Sequence, residues 1–344
     1  MRALLLLLCT GLLACADPCE PVSTDARLTW VQLALDGSIG EAALIVGPTG
    51  RTALIDAGND SHADAVLAAV QRWTGGHRVD VLVATHFHAD HIGGLSALAP
   101  DLEVGALISR GLVDLQDANA SELEGLGALV EAGTEHRPLC DEAGCPGLDE
   151  PVDLGGPTIH WLAANARDRQ GPLVEGELEE NARSVVGVLR WGDFDLLFGG
   201  DLTGGGKGTP DVETPLAARA PASLWPVDGV EVLQANHHGI RSSTNDAWLD
   251  RAFAGGGDRQ WLVGAGPGYA AAPHQDLLDA VAPRLGGGRI WASGTGSLAG
   301  THERLTEAEG DVAIIIEANG AYVVRAGQDG TCGEQAFSSS RDGG

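Results

Sequence analysis

Basic residues and aromatic rings are both scarce in this 344-residue chain. Lysine and arginine total 21 against 48 aspartates and glutamates, and aromatics make up 4% of the residues. The formal charge of -27 repels phosphate backbones and anionic headgroups at long range, which disfavours an extended nucleic-acid surface. Few rings also leave no platform on which bases could stack. The same charge does not exclude a small anionic group at a metal ion, because a local divalent cation dominates its own surroundings. No fixed-period repeat is apparent, and no linker splits the sequence. Paired C-x-x-C spacing is missing, which argues against a thiolate metal site. Hydrophobic residues nevertheless reach 44%, enough for a substantial core and too many for global disorder.

What is present begins with a leader. "MRALLLLLCTGLLACADPCE" carries Arg2, then a leucine-rich stretch ending in small residues, and reads as a secretory signal too short to anchor stably in a bilayer. "LLAC" resembles the bacterial lipobox, whose cysteine (here Cys15) becomes the lipidated N-terminus; the alternative is an ordinary signal cleaved nearby. Either way the mature chain is expected to be exported, as a cell-envelope lipoprotein or a periplasmic or secreted protein. Membrane contact is expected only through a lipid on Cys15. The expected division is a signal and lipobox at 1–15, a linker at 16–26, one domain at 27–327 and a tail at 328–344. Cys19, Cys140, Cys145 and Cys332 remain after processing, an even number for an oxidising compartment. "CDEAGC" closes a short loop, leaving Cys19 to pair with Cys332 and tie the ends of the domain together.

"RLTWVQLAL", "EAALIV" and "RTALIDAG" read as strands, the last two joined by the "GPTG" turn. Asp60 is placed to cap a helix through "DSHADAVLAAVQRW", where apolar residues recur at helical spacing. "VDVLVA" is a short, continuously apolar strand of the fully buried kind, and another helix is expected at "SELEGLGALVEAG". The second half repeats this logic, with a hairpin at "SVVGVLRWGDFDLLFGGD", short strands at "VEVLQA", "RQWLVGAG" and "GGRIWAS", and helices at "TNDAWLDRAF" and "HQDLLDAVAPRL". "DVAIIIEANGAYVVRAG" closes the domain as a hairpin with Asn-Gly at its turn. Helices mixed with hairpins imply mixed sheets covered by helices, an α/β (α+β) fold. "RDRQGPLVEGELEE" and "LTGGGKGTPDVETPLAARAP" read as excursions rich in Gly, Pro and charge.

The chemistry gathers at "THFHADHIGG", directly after "VDVLVA". Side chains two apart on an extended segment point the same way, so His86 and His88 can face one ion. Asp90 and His91 follow as the chain turns into a helix, where they can serve a second ion. Gly93 and Gly94 leave room for close backbone packing. Three histidines and an aspartate at the carboxyl end of a buried strand have no comparable structural excuse, and metal binding is the expectation.

H-x-H-x-D-H resembles the signature of the metallo-β-lactamase fold hydrolases, and other segments follow in that family's order. "LIDAG" looks like its supporting aspartate, Asp56, and "LLFGGD" like the segment whose aspartate bridges two metals, Asp201. "ANHHGIRSS" and "NARSVV" resemble the subgroup containing the extracellular nuclease domain of the competence DNA-uptake protein and secreted phosphorylcholine esterases. The resemblance runs from about Arg27 to Gly327 and implies a four-layer αββα sandwich. It implies one ion on His86, His88, Asp201 and one of His237 and His238, and a second on Asp90, His91, Asp201 and a later histidine. His274 is the candidate for that last ligand, although the usual position falls on Ala272. "EENARS" stands where many hydrolases of the fold have "GHTPGS", so the first ion depends on His237 or His238.

Imidazole and carboxylate donors suit two Zn²⁺ ions, and Mn²⁺ would tolerate the carboxylates. Zinc lowers the pKa of its water to about 7, so the expected reaction is hydrolysis by a metal-bound hydroxide. Asp90 would orient the nucleophile, and whichever of His237 and His238 does not ligate would touch substrate or assist the leaving group. Ser242 or Ser243 could donate to a phosphoryl oxygen, the alternative being a cap on the helix that follows. The resemblance favours a phosphodiester in a small molecule or at a nucleic-acid end. A lactone, thioester or β-lactam is the first alternative. A non-catalytic metal-binding surface lipoprotein is the second. His302 could sit near the mouth of the site, and His62, His77, His136 and His160 carry no assigned chemistry.

Overall fold

The computed structural model describes residues 19, 21, 26–115, 118, 120–264, 272–294, 300–328 and 331–339. The proposed signal and lipobox, Cys15 included, and most of the proposed linker lie outside the described residues. Among the described residues no helix is long and apolar enough to cross a membrane.

Two large sheets face one another. The first has nine strands; its middle runs from Leu28–Gln32 through Ala43–Val46 and Thr52–Ile55 to Arg78–Ala84 and Glu103–Ser109. The second has eight, among them Thr158–Ala163, Val186–Trp191, Phe194–Phe198, Val232–Gln234 and Gln260–Gly264. Side chains alternate across each sheet, and both faces are covered. Leu28, Trp30, Ile45 and Val83 pack into the shared core with Trp161, Leu189, Phe198 and Leu262 of the opposite sheet. Val31, Leu44 and Leu82 face outward, under the helices Ala63–Thr74 and Ala120–Glu131. Val188, Leu197 and Val263 face the other way, under Glu213–Arg219, Asp246–Ala252 and Gln275–Val281. Coverage on both faces is why strands such as "VDVLVA" read as continuous apolar runs. The result is the αββα sandwich that the resemblance implies.

Three expectations need correction. Asn59 caps the first helical segment, not Asp60: its side chain accepts from Ser61 N, and the chain passes through a tight turn at Asp60–His62 before the α-helix. The proposed C-terminal tail is not free, because Thr331–Phe337 forms an edge strand paired along Tyr322–Gln328. The polar excursion after Asp201 contains the helix Glu213–Arg219, whose buried Leu216 anchors it to the core. Both expected disulfides are present, Cys140 with Cys145 and Cys19 with Cys332.

Candidate metal centre

Four chain segments meet at the ends of the central strands of the two sheets. Arg78–Ala84 delivers Thr85 and His86, and His88, in extended conformation, precedes the single-turn helix Ala89–Ile92 that carries Asp90 and His91. Gly94 lets the loop at 56–59 lie against this turn, since a Cβ there would sit 2.5 Å from Ala57 O. Phe194–Phe198 delivers Asp201 through the tight Gly199–Gly200 turn. Val232–Gln234 delivers His237 and His238, both in the left-handed region at φ 49° and 54°. Such a backbone costs roughly 1–2 kcal/mol per residue, so neighbouring contacts must hold it. Glu213 does so. Its carboxylate accepts from Asn236 Nδ2 at 2.6 Å, Thr244 N at 2.6 Å and Asn245 N at 2.7 Å.

The donors fall into two groups that share Asp201. Asp90, His91, Asp201 and His238 form one, and His86, His88 and Asp201 the other, with the donor atoms of each group within 4.8 Å of one another. His237 Nε2 joins the edge of the second group at 3.3 Å from Asp201 Oδ2. His86 Nε2 and His88 Nδ1 are 3.2 Å apart. Of the sequence candidates, His237 lies at the edge of the second group and His274 stays away from both. It starts the helix Gln275–Val281, and its Nδ1 accepts from Arg241 N at 3.1 Å. His238 fills the place assigned to it. The order of ligands along the chain therefore differs from the expectation: His238 completes one group, and His237 is the partner left for the other.

Four of the five histidines have Nδ1 tied to an outer partner and Nε2 turned toward the cluster. His91 Nδ1 donates to Asp56 Oδ2 at 2.7 Å, and His238 Nδ1 donates to Gly264 O at 2.8 Å. His237 Nδ1 lies 2.6 Å from Ser242 Oγ, and His86 Nδ1 lies 3.2 Å from Thr85 Oγ1. Partners of this kind fix the tautomer and aim of a metal-ligating ring. Asp56 is itself held by Thr85 N at 2.8 Å and Thr85 Oγ1 at 2.7 Å, as a supporting residue should be.

Charge and orphaned atoms test whether a cation fits. Asp56 and Asp201 are buried, and Asp90 is half-buried beside them. Burial pushes Asp201 upward, but His237, His91 and His238 outweigh it and hold it well below the ordinary carboxylate range. Burial pulls His91 and His238 down, yet the carboxylates outweigh it and raise His91 well above its usual value and His238 to about 9. The buried carboxylates thus demand compensating positive charge. His91 Nε2 and Asp201 Oδ1 lie 3.0 Å apart, both out of solvent, without the alignment of a hydrogen bond. A nitrogen and an oxygen left this way, amid imidazole and carboxylate donors, fit a borderline divalent cation such as zinc.

Several supports were not visible in the sequence. Glu180, buried within "EENARS", accepts from Phe87 N between the two histidines of the first motif at 2.8 Å, and it pairs with buried Arg110 at 2.7 Å. Glu41, pushed up to about 7 by burial, accepts from Gln234 Nε2 at 2.9 Å beneath the cluster. Nothing in a single sequence distinguishes these carboxylates from the many on the surface. Three of the remaining histidines make local contacts: His62 Nδ1 accepts from Asn59 N, His302 Nδ1 accepts from Arg304 N, and His136 Nε2 lies 2.9 Å from Ser109 Oγ. Neither serine of "IRSS" caps the next helix; Asn245 does, accepting from Trp248 N.

The profile described as the Metallo-beta-lactamase superfamily matches residues 36–254. Comparison with curated proteins found no match. Among solved structures, Zn(2+)-bound PqqB from Methylobacterium extorquens aligns at 12% identity and a TM-score of 0.44, over 79% of this chain and 98% of its own. Metallo-beta-lactamase SMB-1, bound to 2-mercaptoethanesulfonate, aligns at 17% identity and a TM-score of 0.36, over 68% of this chain and 84% of its own. CmlA, a diiron beta-hydroxylase from Streptomyces venezuelae, aligns at 14% identity and a TM-score of 0.39, over 79% of this chain and 45% of its own. The matched stretch covers well over half of the sequence and contains every residue of both donor groups. This chain belongs to the metallo-beta-lactamase superfamily.

Proposed function

We propose that the chain is an exported metal-dependent hydrolase that cleaves a phosphodiester, in a small molecule or at a nucleic-acid end. The observation that carries the hydrolytic reading is the convergence of two buried donor groups on a shared Asp201. His86, His88, Asp201 and His237 would hold one ion, and Asp90, His91, Asp201 and His238 the other. Bound there, zinc or manganese supplies water of lowered pKa and Lewis-acid stabilisation of a developing oxyanion.

The protein's own part is orientation. Asp56, Thr85, Gly264 and Ser242 hold four imidazoles in one aim, so little rearrangement is needed as charge develops. Asp90 is half-buried, and His238 Nε2 lies 3.3 Å from its Oδ2, so this carboxylate is where the buried cluster meets solvent and can align an attacking water. His237 is the more accessible of the histidine pair, suited to meeting a substrate oxygen. The Ser242 hydroxyl is committed to His237, and the Ser243 hydroxyl is buried out of solvent, so neither serine is presented to a substrate. The "ANHHGIRSS" and "NARSVV" segments support the phosphodiester. The leader and the two disulfides support export.

The test is hydrolysis of bis-p-nitrophenyl phosphate by the purified mature chain, with nitrocefin and a lactone alongside. Nitrophenol release that disappears with EDTA and in Asp201→Asn is the expected result. Turnover of nitrocefin or the lactone alone would move the substrate class to that alternative. Bound metal without turnover of any ester would overturn the hydrolase and leave a metal-binding protein.

A further inference from the structure

A cavity of about 490 Å³ is lined in part by the segment that supports the metal centre. Its wall includes Arg167, Glu175, Glu177 and Arg183. The same stretch of chain reaches the centre at two points: Glu180 holds Phe87 N, and Asn181 Nδ2 lies 3.4 Å from His237 Nε2. The cavity and the candidate metal centre are therefore built on one loop.

The charges in this cavity are layered. Arg183 and Asn165 are buried in its floor, with Arg183 Nη1 donating to Asn165 Oδ1 at 2.8 Å and to Asp114 Oδ2 at 3.2 Å. Arg183 Nη2 donates to Leu178 O at 3.3 Å, but Nε is out of solvent and has no partner. Arg167 is half-buried and makes no side-chain hydrogen bond or ion pair with any described residue. In a chain with 48 acidic residues, a half-buried arginine in a cavity wall with no carboxylate of its own is unexpected unless something anionic visits. Glu175 and Glu177 are exposed at the rim, and Asp114 is exposed where it meets Arg183. Arg167 follows the turn at Asn165 and Ala166, both at φ 52°, a local strain that places its side chain at the cavity.

We propose that this cavity binds an oxyanionic group of the substrate, a carboxylate or a phosphate, through Arg167 and Arg183. That the anion belongs to the substrate rests on the hydrolase reading; that the cavity binds an anion does not. Guanidinium is suited to either group because its planar fork matches two oxygens at once. The bound group would anchor the substrate on the loop that also carries Glu180 and Asn181, and so hold the scissile bond at a fixed distance from the donors. Specificity would then be set away from the metals.

Calorimetric titration of the full mature chain with inorganic phosphate and, separately, with malonate tests the proposal. Asp201→Asn removes the shared metal ligand, so binding that survives in it belongs elsewhere. At least one of the two anions is expected to bind wild type and D201N alike, and to bind R167Q and R183Q about tenfold more weakly, the loss of one charge-assisted hydrogen bond. The tighter anion identifies the chemistry. Arg183 braces its loop, so R167Q, which has no side-chain partner to lose, decides the matter if R183Q unfolds. Failure of both anions to bind wild type overturns the proposal, as does binding abolished by D201N but unchanged in R167Q. Anion binding at the cavity with no ester turned over would remove the hydrolase reading and leave the site standing.

Discussion

Replacing Asp56 with asparagine tests the orientation argument at a single proton. Asp56 sits at φ 57°, a conformation asparagine also tolerates, so the backbone has no reason to move. Its Oδ1 accepts from Thr85 N, which fixes the carbonyl oxygen of an asparagine on that side. The amide NH₂ must then take the place of Oδ2, facing the Thr85 hydroxyl and His91 Nδ1. The hydroxyl can turn to accept. His91 Nδ1 can accept only by giving up its hydrogen, which moves the proton to Nε2, the atom 3.0 Å from Asp201 Oδ1. The lone pair needed for a metal is thereby blocked. Loss of such an outer partner typically weakens metal binding about 10- to 100-fold, or about 1.4 to 2.7 kcal/mol. Competition for zinc against a chromophoric chelator, run on D56N and wild type with matched circular dichroism, measures the change. Wild-type zinc affinity in D56N would refute the claim that Asp56 sets the tautomer of His91.

Four other outcomes are expected. Asp201→Asn should reduce bound metal from two equivalents to none by elemental analysis, because both groups share this carboxylate; retention of one full equivalent would contradict the sharing. Phe198, wedged against Trp30 and Trp161 at 5.8 and 6.4 Å between ring centroids, should cost about 3–5 kcal/mol in denaturant unfolding when cut to alanine. Burial pushes Glu213 from 4.5 to about 7, so the native state keeps a proton that the unfolded chain has released across this window. Stability should therefore fall as pH rises from about 4.5 to 7, by up to about 3 kcal/mol, and urea unfolding of Glu213→Gln should show a flatter slope there. Removing the Cys19–Cys332 link, which spans 313 residues, should destabilise more than removing the Cys140–Cys145 link, which spans 5, by the loop-entropy argument: about 6 against about 2 kcal/mol. Paired serine variants followed by thermal unfolding compare the two.

Wherever periodicity and local chemistry agree, the sequence was readable. The strand before Thr85 announces itself by unbroken apolarity, and the histidines after it by their density within six positions. Asp201 and the His237–His238 pair were findable because each follows a recognisable apolar strand. His274 was misplaced because sequence order cannot show how far a turn reaches: two left-handed residues swing His238 into the cluster, and no later histidine is needed. Glu180 and Glu213 were hidden for a different reason. Their roles depend on which backbone N–H groups the fold brings to them, Phe87 in one case and Thr244 and Asn245 in the other, and those partners are distant in sequence. The edge strand at Thr331–Phe337 was missed because its polar residues face outward, and its pairing alone makes it a strand.

The bond between Cys19 and Cys332 makes nearly the whole domain a covalent ring. A protease that cuts any one exposed loop between those positions would open the ring without separating the pieces. Both halves of the ligand set, His86 to His91 on one side and Asp201 to His238 on the other, would stay tethered and could re-dock. A nicked molecule should run as one band until a reductant is added.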